Sequence, residues 1–185
     1  MRQKDRELVM RITYVIVLAT LCVNFCIVES VFAQGFSKTQ IKQYKNACLS
    51  QHSVGLSSGA AKAYCNCMTR KVIANFTPSE VLNQDALTHQ KIRSVAQVPC
   101  LTIPVRNITF NRCLRDKAVE IYSSQKENIC NCVAEKSGRY ISQRIAKIIA
   151  QSDTETNLAS IILNNQDFNR NLTSNISICV QGVGY

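Results

Sequence analysis

Thiols are the most regularly spaced chemistry-bearing groups in this chain of 185 residues, which holds ten cysteines. Cys22 and Cys26 fall in an N-terminal apolar run. The other eight are Cys48, Cys65, Cys67, Cys100, Cys113, Cys130, Cys132 and Cys179. Grouped thiols can close disulfides, hold a metal or exchange electrons as a redox couple. The spacing separates these options. Structural zinc sites favour Cys-x2–4-Cys, whereas both close pairs here are Cys-Asn-Cys. Only His52 and His89 could add imidazole, and neither has a counterpart beside the second pair, so no metal is expected. A redox couple would want a thioredoxin-like βαβ setting, which the sequence does not show. The expected chemistry is therefore structural: eight cysteines in four disulfides, with no cofactor.

The cysteine spacing repeats. Sixteen residues separate Cys48 from Cys65, and Cys67 follows one residue later; Cys113, Cys130 and Cys132 repeat the same spacing. A shift of 65 superposes the two stretches. Leu49 then meets Leu114, Val54 meets Val119, Ser58 meets Ser123, Asn66 meets Asn131 and Lys71 meets Lys136. With the cysteines, this gives eight identities over the 24 positions from Cys48 to Lys71. Cys100 and Cys179 each close a unit, and the second gap is longer by about 14 residues. We read an internal duplication with an insertion in the second copy.

Helical periodicity suggests a pairing. Ile41, Tyr44 and Cys48 share one face. Cys65, Met68, Val72 and Phe76 share another, and in the second copy so do Cys130, Ala134, Ile141, Ile145 and Ile148. Cys48 would then meet Cys65 across a helical hairpin. Cys67 lies roughly 200° further round the helix, and Cys100 is its available partner. By the repeat, Cys113 pairs with Cys130 and Cys132 with Cys179. The alternative, Cys48 with Cys67 and Cys65 with Cys100, stays open at this point.

Three further features bound the function. The first is export. Residues 1–11 carry Arg2, Lys4, Arg6 and Arg11, an apolar run follows over 12–28, and Val31 and Ala33 stand before Gln34. This is the layout of a signal peptide cut between Ala33 and Gln34. The location expected is the periplasm or the exterior, with an uncleaved N-terminal anchor as the alternative. The second is charge. Without residues 1–33 the chain keeps 18 Lys/Arg against nine Asp/Glu, or +9. That favours an anionic envelope component or a protein as partner. The charges look scattered and no aromatic-interleaved basic strip appears, so nucleic acid is not expected, and membrane contact is expected only if the signal stays uncleaved. The third is catalysis. Asp116 and Glu120, beside Arg112 and Arg115, could act as a carboxylate pair but read as a surface salt-bridge ladder. His52 reads as a solvated turn residue. No nucleophile-base spacing or phosphate-cradling loop stands out, so the chain is not expected to be an enzyme.

These residues need elements to position them. Pro and Gly are scarce, at three and six, so few turns are available and an all-α fold is predicted. Helices are expected over residues 37–51, 60–75, 77–96, 111–122 and 126–151. Ser37 caps the first, and Thr77-Pro78-Ser79-Glu80 opens the third as a capping box. Residues 52–59 read as a turn, 101–111 as a partly extended linker, 152–155 as another helix start, the Asn-rich 164–175 as loop and 182–185 as a frayed tail. The organisation is then a signal peptide (1–33), a first four-cysteine unit (34–104) and a second (105–185), built as a disulfide-stapled helical bundle. Asn75, Asn107, Asn171 and Asn175 each head an Asn-x-Ser/Thr triplet.

Tyr64-Cys65 behind an upstream cysteine resembles the exported, disulfide-bonded helical immunity proteins that neutralise cell-wall amidases. The resemblance spans a few residues, their pattern has no duplicated Cys-x-Cys, and it transfers no residue role. The function expected is thus non-enzymatic binding by a rigid helical surface. An inhibitor or immunity protein against a secreted toxin or hydrolase, and a small secreted hydrolase, stand as alternatives.

Overall fold

The computed structural model describes residues 35–83, 85–151 and 158–183. The signal cleavage site at Ala33 and Gln34, Cys22 and Cys26, and the helix start at 152–155 lie outside them. The described residues form helices and no strand. Helix α1 is Lys38–His52, α2 Ser58–Asn75, α3 Pro78–Leu82 and α4 Ala86–Ile92. A π turn, Arg93–Gln97, and a 3-10 turn, Val98–Cys100, follow without a break. Then come α5 Thr102–Cys113, α6 Lys117–Glu120, α7 Lys126–Gln151, α8 Leu158–Leu163 and α9 Gln166–Val183.

Local chemistry fixes the helix starts. The Ser37 hydroxyl accepts from the Gln40 N–H, while the Gln40 side chain accepts from the Ser37 N–H. Thr77 and Glu80 make the same reciprocal pair, with Pro78 at the first helical position. Ser57 caps α2 two residues earlier than its composition suggested, so the turn shortens to 53–57. Gly55 makes that turn with φ +80°, and an added Cβ there would lie 2.8 Å from the Ala159 Cβ.

Three stretches depart from the sequence reading. The single helix expected over 77–96 is broken after Leu82, a second helix starting behind the Asp85 N-cap and passing into the π turn. Residues 101–111 are not a linker but most of α5, which ends at Cys113. Pro104 sits in its first turn, where a missing N–H removes no intrahelical bond, and Val105, Ile108, Thr109 and Cys113 bury one face. The helix expected over 111–122 is accordingly reduced to α6. Residues 164–175 are not loop but lie largely in α9. Asparagine is a weak helix former, yet Phe168, Leu172, Ile176 and Cys179 recur at helical spacing and are buried. The helix also continues through Gly182, where a frayed tail was expected. A smaller change lies in α7. Its buried face runs through Cys130, Ala134, Ile141 and Ile145 to Ile149, and Ile148 is 40% exposed.

From Phe36 onward the chain is one compact unit. The main core draws Tyr64, Met68 and Leu101 from the first four-cysteine stretch, and Ile129, Ile141, Ile145, Phe168 and Ile176 from the second. Helix α7 is its axis, packed by α5 on one side and α9 on another. Gly138 allows the α5 contact, since a Cβ there would lie 2.6 Å from Cγ of Arg106 and 3.6 Å from Cγ2 of Thr102. A second, smaller core of Val72, Phe76, Ile92 and Ala96 closes the far end of the α1–α2 hairpin, with Phe36, Tyr44, Val81 and Val95 against it.

Four disulfides join these elements: Cys48–Cys65, Cys67–Cys100, Cys113–Cys130 and Cys132–Cys179. The first and third span the same 17 positions. In the chain-entropy description, closures of 17 to 47 residues contribute about 3–4 kcal/mol each. Both ends of Cys48–Cys65 and Cys113–Cys130 are buried, whereas Cys67 and Cys132 are partly exposed. Limited reduction should therefore open Cys67–Cys100 and Cys132–Cys179 first, as alkylation and peptide mass mapping would read. Gly55→Ala should lower stability by about 1–3 kcal/mol in urea titration, because it adds both left-handed strain and the contact with Ala159.

Candidate functional surface

The eight cysteines among the described residues are spoken for by the fold, so the surface holds the remaining chemistry. The two residues that could act as a carboxylate pair stand at the two ends of α6. Asp116 is the N-cap of α6, its side chain accepting from the Ala118 N–H at 2.9 Å, and Glu120 stands exposed at the end of that helix. The expected ladder with Arg112 and Arg115 does not form. Among the described residues the ion pairs are Arg106–Glu135 and Arg144–Asp167, the latter with Nε 2.8 Å and Nη2 2.5 Å from one carboxylate oxygen. Among the same residues no three His, Cys, Asp or Glu side chains gather as for a metal, and no helix is long and apolar enough to cross a membrane.

His52 is not a solvated turn residue. It ends α1 and sets its ring edge-on to Tyr64, with centroids 5.7 Å apart. The Tyr64 ring is fully buried, its hydroxyl beside Gln97 without a well-formed hydrogen bond. Burial pushes that phenol above its ordinary value. The same cause pushes Tyr44, in α1, up from 10.0 to about 12. Of the Asn-x-Ser/Thr triplets, only Asn75 is exposed. Asn107 accepts from the Ser57 N–H at 3.0 Å, and buried Asn175 donates to Ser137 at 3.0 Å and Asn171 at 2.9 Å.

The feature that stands out is electrostatic. Residues 34–76 carry Lys38, Lys42, Lys45, Lys62, Arg70 and Lys71 and no carboxylate. All six cations lie on the α1–α2 hairpin that Cys48–Cys65 staples. Lys38, Lys42 and Lys45 are spaced i, i+4, i+7 and form one stripe beside the buried face of α1. On α2, Lys62 and Arg70 are exposed on one side with Asn66 between them. Over residues 34–104, eight Lys/Arg face two Asp/Glu. Over 105–185, ten face seven. The two carboxylates of the first stretch are engaged at helix starts. Glu80 accepts from Thr77 and Asp85 from the Thr88 N–H, and these bonds hold both below the usual carboxylate range.

The sequence reading looked for consecutive charges and missed this hairpin, because its cations are spaced for helical faces. The gap between carboxylates was the available signal: the first one after Glu29 is Glu80.

Comparison with known proteins found no matching family model, no matching curated protein and no matching solved structure.

The buried phenols make the fold sensitive to alkali. Tyr44 stays neutral in the folded state while the unfolded chain ionises, so its contribution is complete below pH 10 and is lost as the pH climbs to about 12. Stability measured by rapid urea unfolding should fall across that window, and Tyr44→Phe should flatten part of the fall.

Proposed function

We propose that this protein is a non-enzymatic exported binding protein whose α1–α2 hairpin docks on an anionic partner. The acid-free hairpin carries this reading. Two local features make it an unusual way to build a merely stable surface. Like charges at i, i+4 oppose helix formation by roughly 0.2–0.5 kcal/mol a pair, and Lys38 and Lys42 are such a pair. Neither α1 nor α2 places an acid in its first turn, where it would complement the helix dipole, and α1 places Lys38 there instead. A surface selected for stability and solubility alone mixes both signs. Four disulfides suit an oxidising compartment outside the cytosol. They also let the hairpin keep unbalanced charge, because its geometry is held covalently.

The test separates a specific patch from net charge. The chain from residue 34 should bind immobilised long-chain polyphosphate at low ionic strength and release it as salt screens the contact. The triple variant Lys38→Glu/Lys42→Glu/Lys45→Glu should weaken binding at least about tenfold, equivalent to about 1.4 kcal/mol. A triple reversal of the same size in the second half, Lys117→Glu/Lys136→Glu/Lys147→Glu, should have a much smaller effect. Equal losses in the two variants would reduce the reading to non-specific charge.

A further inference from the structure

At the end of the hairpin closed by the smaller core, charge and exposed apolar surface meet. Phe36, just before α1, and Val81 of α3 both pack against the cluster that holds Val72 and Phe76 of α2 and Ile92 of α4. The start of α1, the end of α2 and both short helices therefore converge there. Next to those packed residues stand Lys38, Lys71 and Lys91, all exposed. The Lys91 ammonium lies 5.2 Å from the centre of the Phe76 ring, which places it at this end. Leu82, adjacent to Val81, is 73% exposed, and Leu87, one turn before Lys91 on the same face of α4, is 75% exposed.

We propose that this end of the molecule docks on an anionic lipid bilayer, with Leu82 and Leu87 entering the interface and Lys38, Lys71 and Lys91 lying among the headgroups. The proposal rests on the anionic-partner reading above and names the partner. A soluble polyanion would satisfy the lysines and leave both leucines in water. A lipid surface satisfies the two together, because interfacial binding adds buried apolar area to attraction for anionic headgroups. Glu80 and Asp85 are held as carboxylates by their helix-start hydrogen bonds, so the attraction at this end comes from three lysines against those two acids, with the rest of the basic hairpin behind them. The sequence alone led us to expect membrane contact only through a retained N-terminal segment. This surface belongs instead to the compact unit that begins at Phe36 and contains all four disulfides.

The chain from residue 34 should co-sediment with vesicles of about 30% phosphatidylglycerol in phosphatidylcholine and not with pure phosphatidylcholine. Leu82→Ser/Leu87→Ser should lower that partition by about tenfold or more, with an unchanged melting temperature because both side chains are exposed. The chain has no Trp, so Leu87→Trp supplies a single reporter whose emission should shift to the blue on the anionic vesicles and be quenched by brominated lipid. Vesicle binding unaffected by the serine variant, or an indole emission from the Leu87→Trp variant that does not move, would overturn the proposal. So would equal binding to neutral vesicles, or leucine-dependent self-association without vesicle binding, which would make a second copy the occupant. Binding to polyphosphate but to no vesicle would defeat this proposal and leave the anionic-partner reading standing. Binding to neither would remove both.

Discussion

Two cysteines separated by one residue on a helix cannot reach the same neighbour. They project roughly 200° apart, so each Cys-Asn-Cys commits its helix to partners on opposite sides. In α2, Cys65 is tied to α1 and Cys67 to the 3-10 turn that precedes α5. In α7, Cys130 is tied to the end of α5 and Cys132 to α9. The other cysteine-bearing segments hang from these two helices. Helix α5 begins just past Cys100 and ends at Cys113, so it spans the distance between the two staple sets. One core can then pass through both halves, with Leu101, Val105 and Ile108 packed in the same cluster as Tyr64 and Ile145.

This covalent frame explains why the segment between Asn75 and Thr102 can be irregular. It advances through two short helices, a π turn and a 3-10 turn, an arrangement with little cooperative stability of its own. Cys67–Cys100 fixes its far end, and the smaller core of Val72, Phe76, Ile92 and Ala96 holds its middle. Exposed leucines at 82 and 87 are tolerated there because the segment does not depend on them to fold.

Legibility in the sequence followed the strength of the local signal. Helix starts with reciprocal caps, at Ser37 and Thr77, were readable because two residue types three apart define the geometry. The disulfide pairing is readable from helical faces down to two alternatives, and the Cys48–Cys65 bond removes the swapped one. The two stretches that gained helix share one cause. Pro104 and the asparagines of 164–175 carry weak helix propensity, and burial of Val105, Ile108, Phe168, Leu172 and Ile176 overrides it. The same tertiary term moved the α7 stripe from Ile148 to Ile149. The basic hairpin was hidden for a different reason: charges that gather in space were judged by their adjacency in sequence.

The two four-cysteine stretches supply an internal control on where function resides. They share the same 17-residue staple and the same Cys-Asn-Cys turn, so shared structural demands should act on them alike. Their surfaces nevertheless diverge. The second stretch offsets more of its cations, ten against seven carboxylates, and pairs Arg106 with Glu135 and Arg144 with Asp167. The first places six cations over two helices without a carboxylate and sets exposed leucines beyond them. What the frame requires should recur in both halves. Exposed apolar side chains occur in both halves, Ile121 being 80% exposed, but a two-helix hairpin free of carboxylates does not recur, which supports assigning the hairpin to binding rather than to the fold.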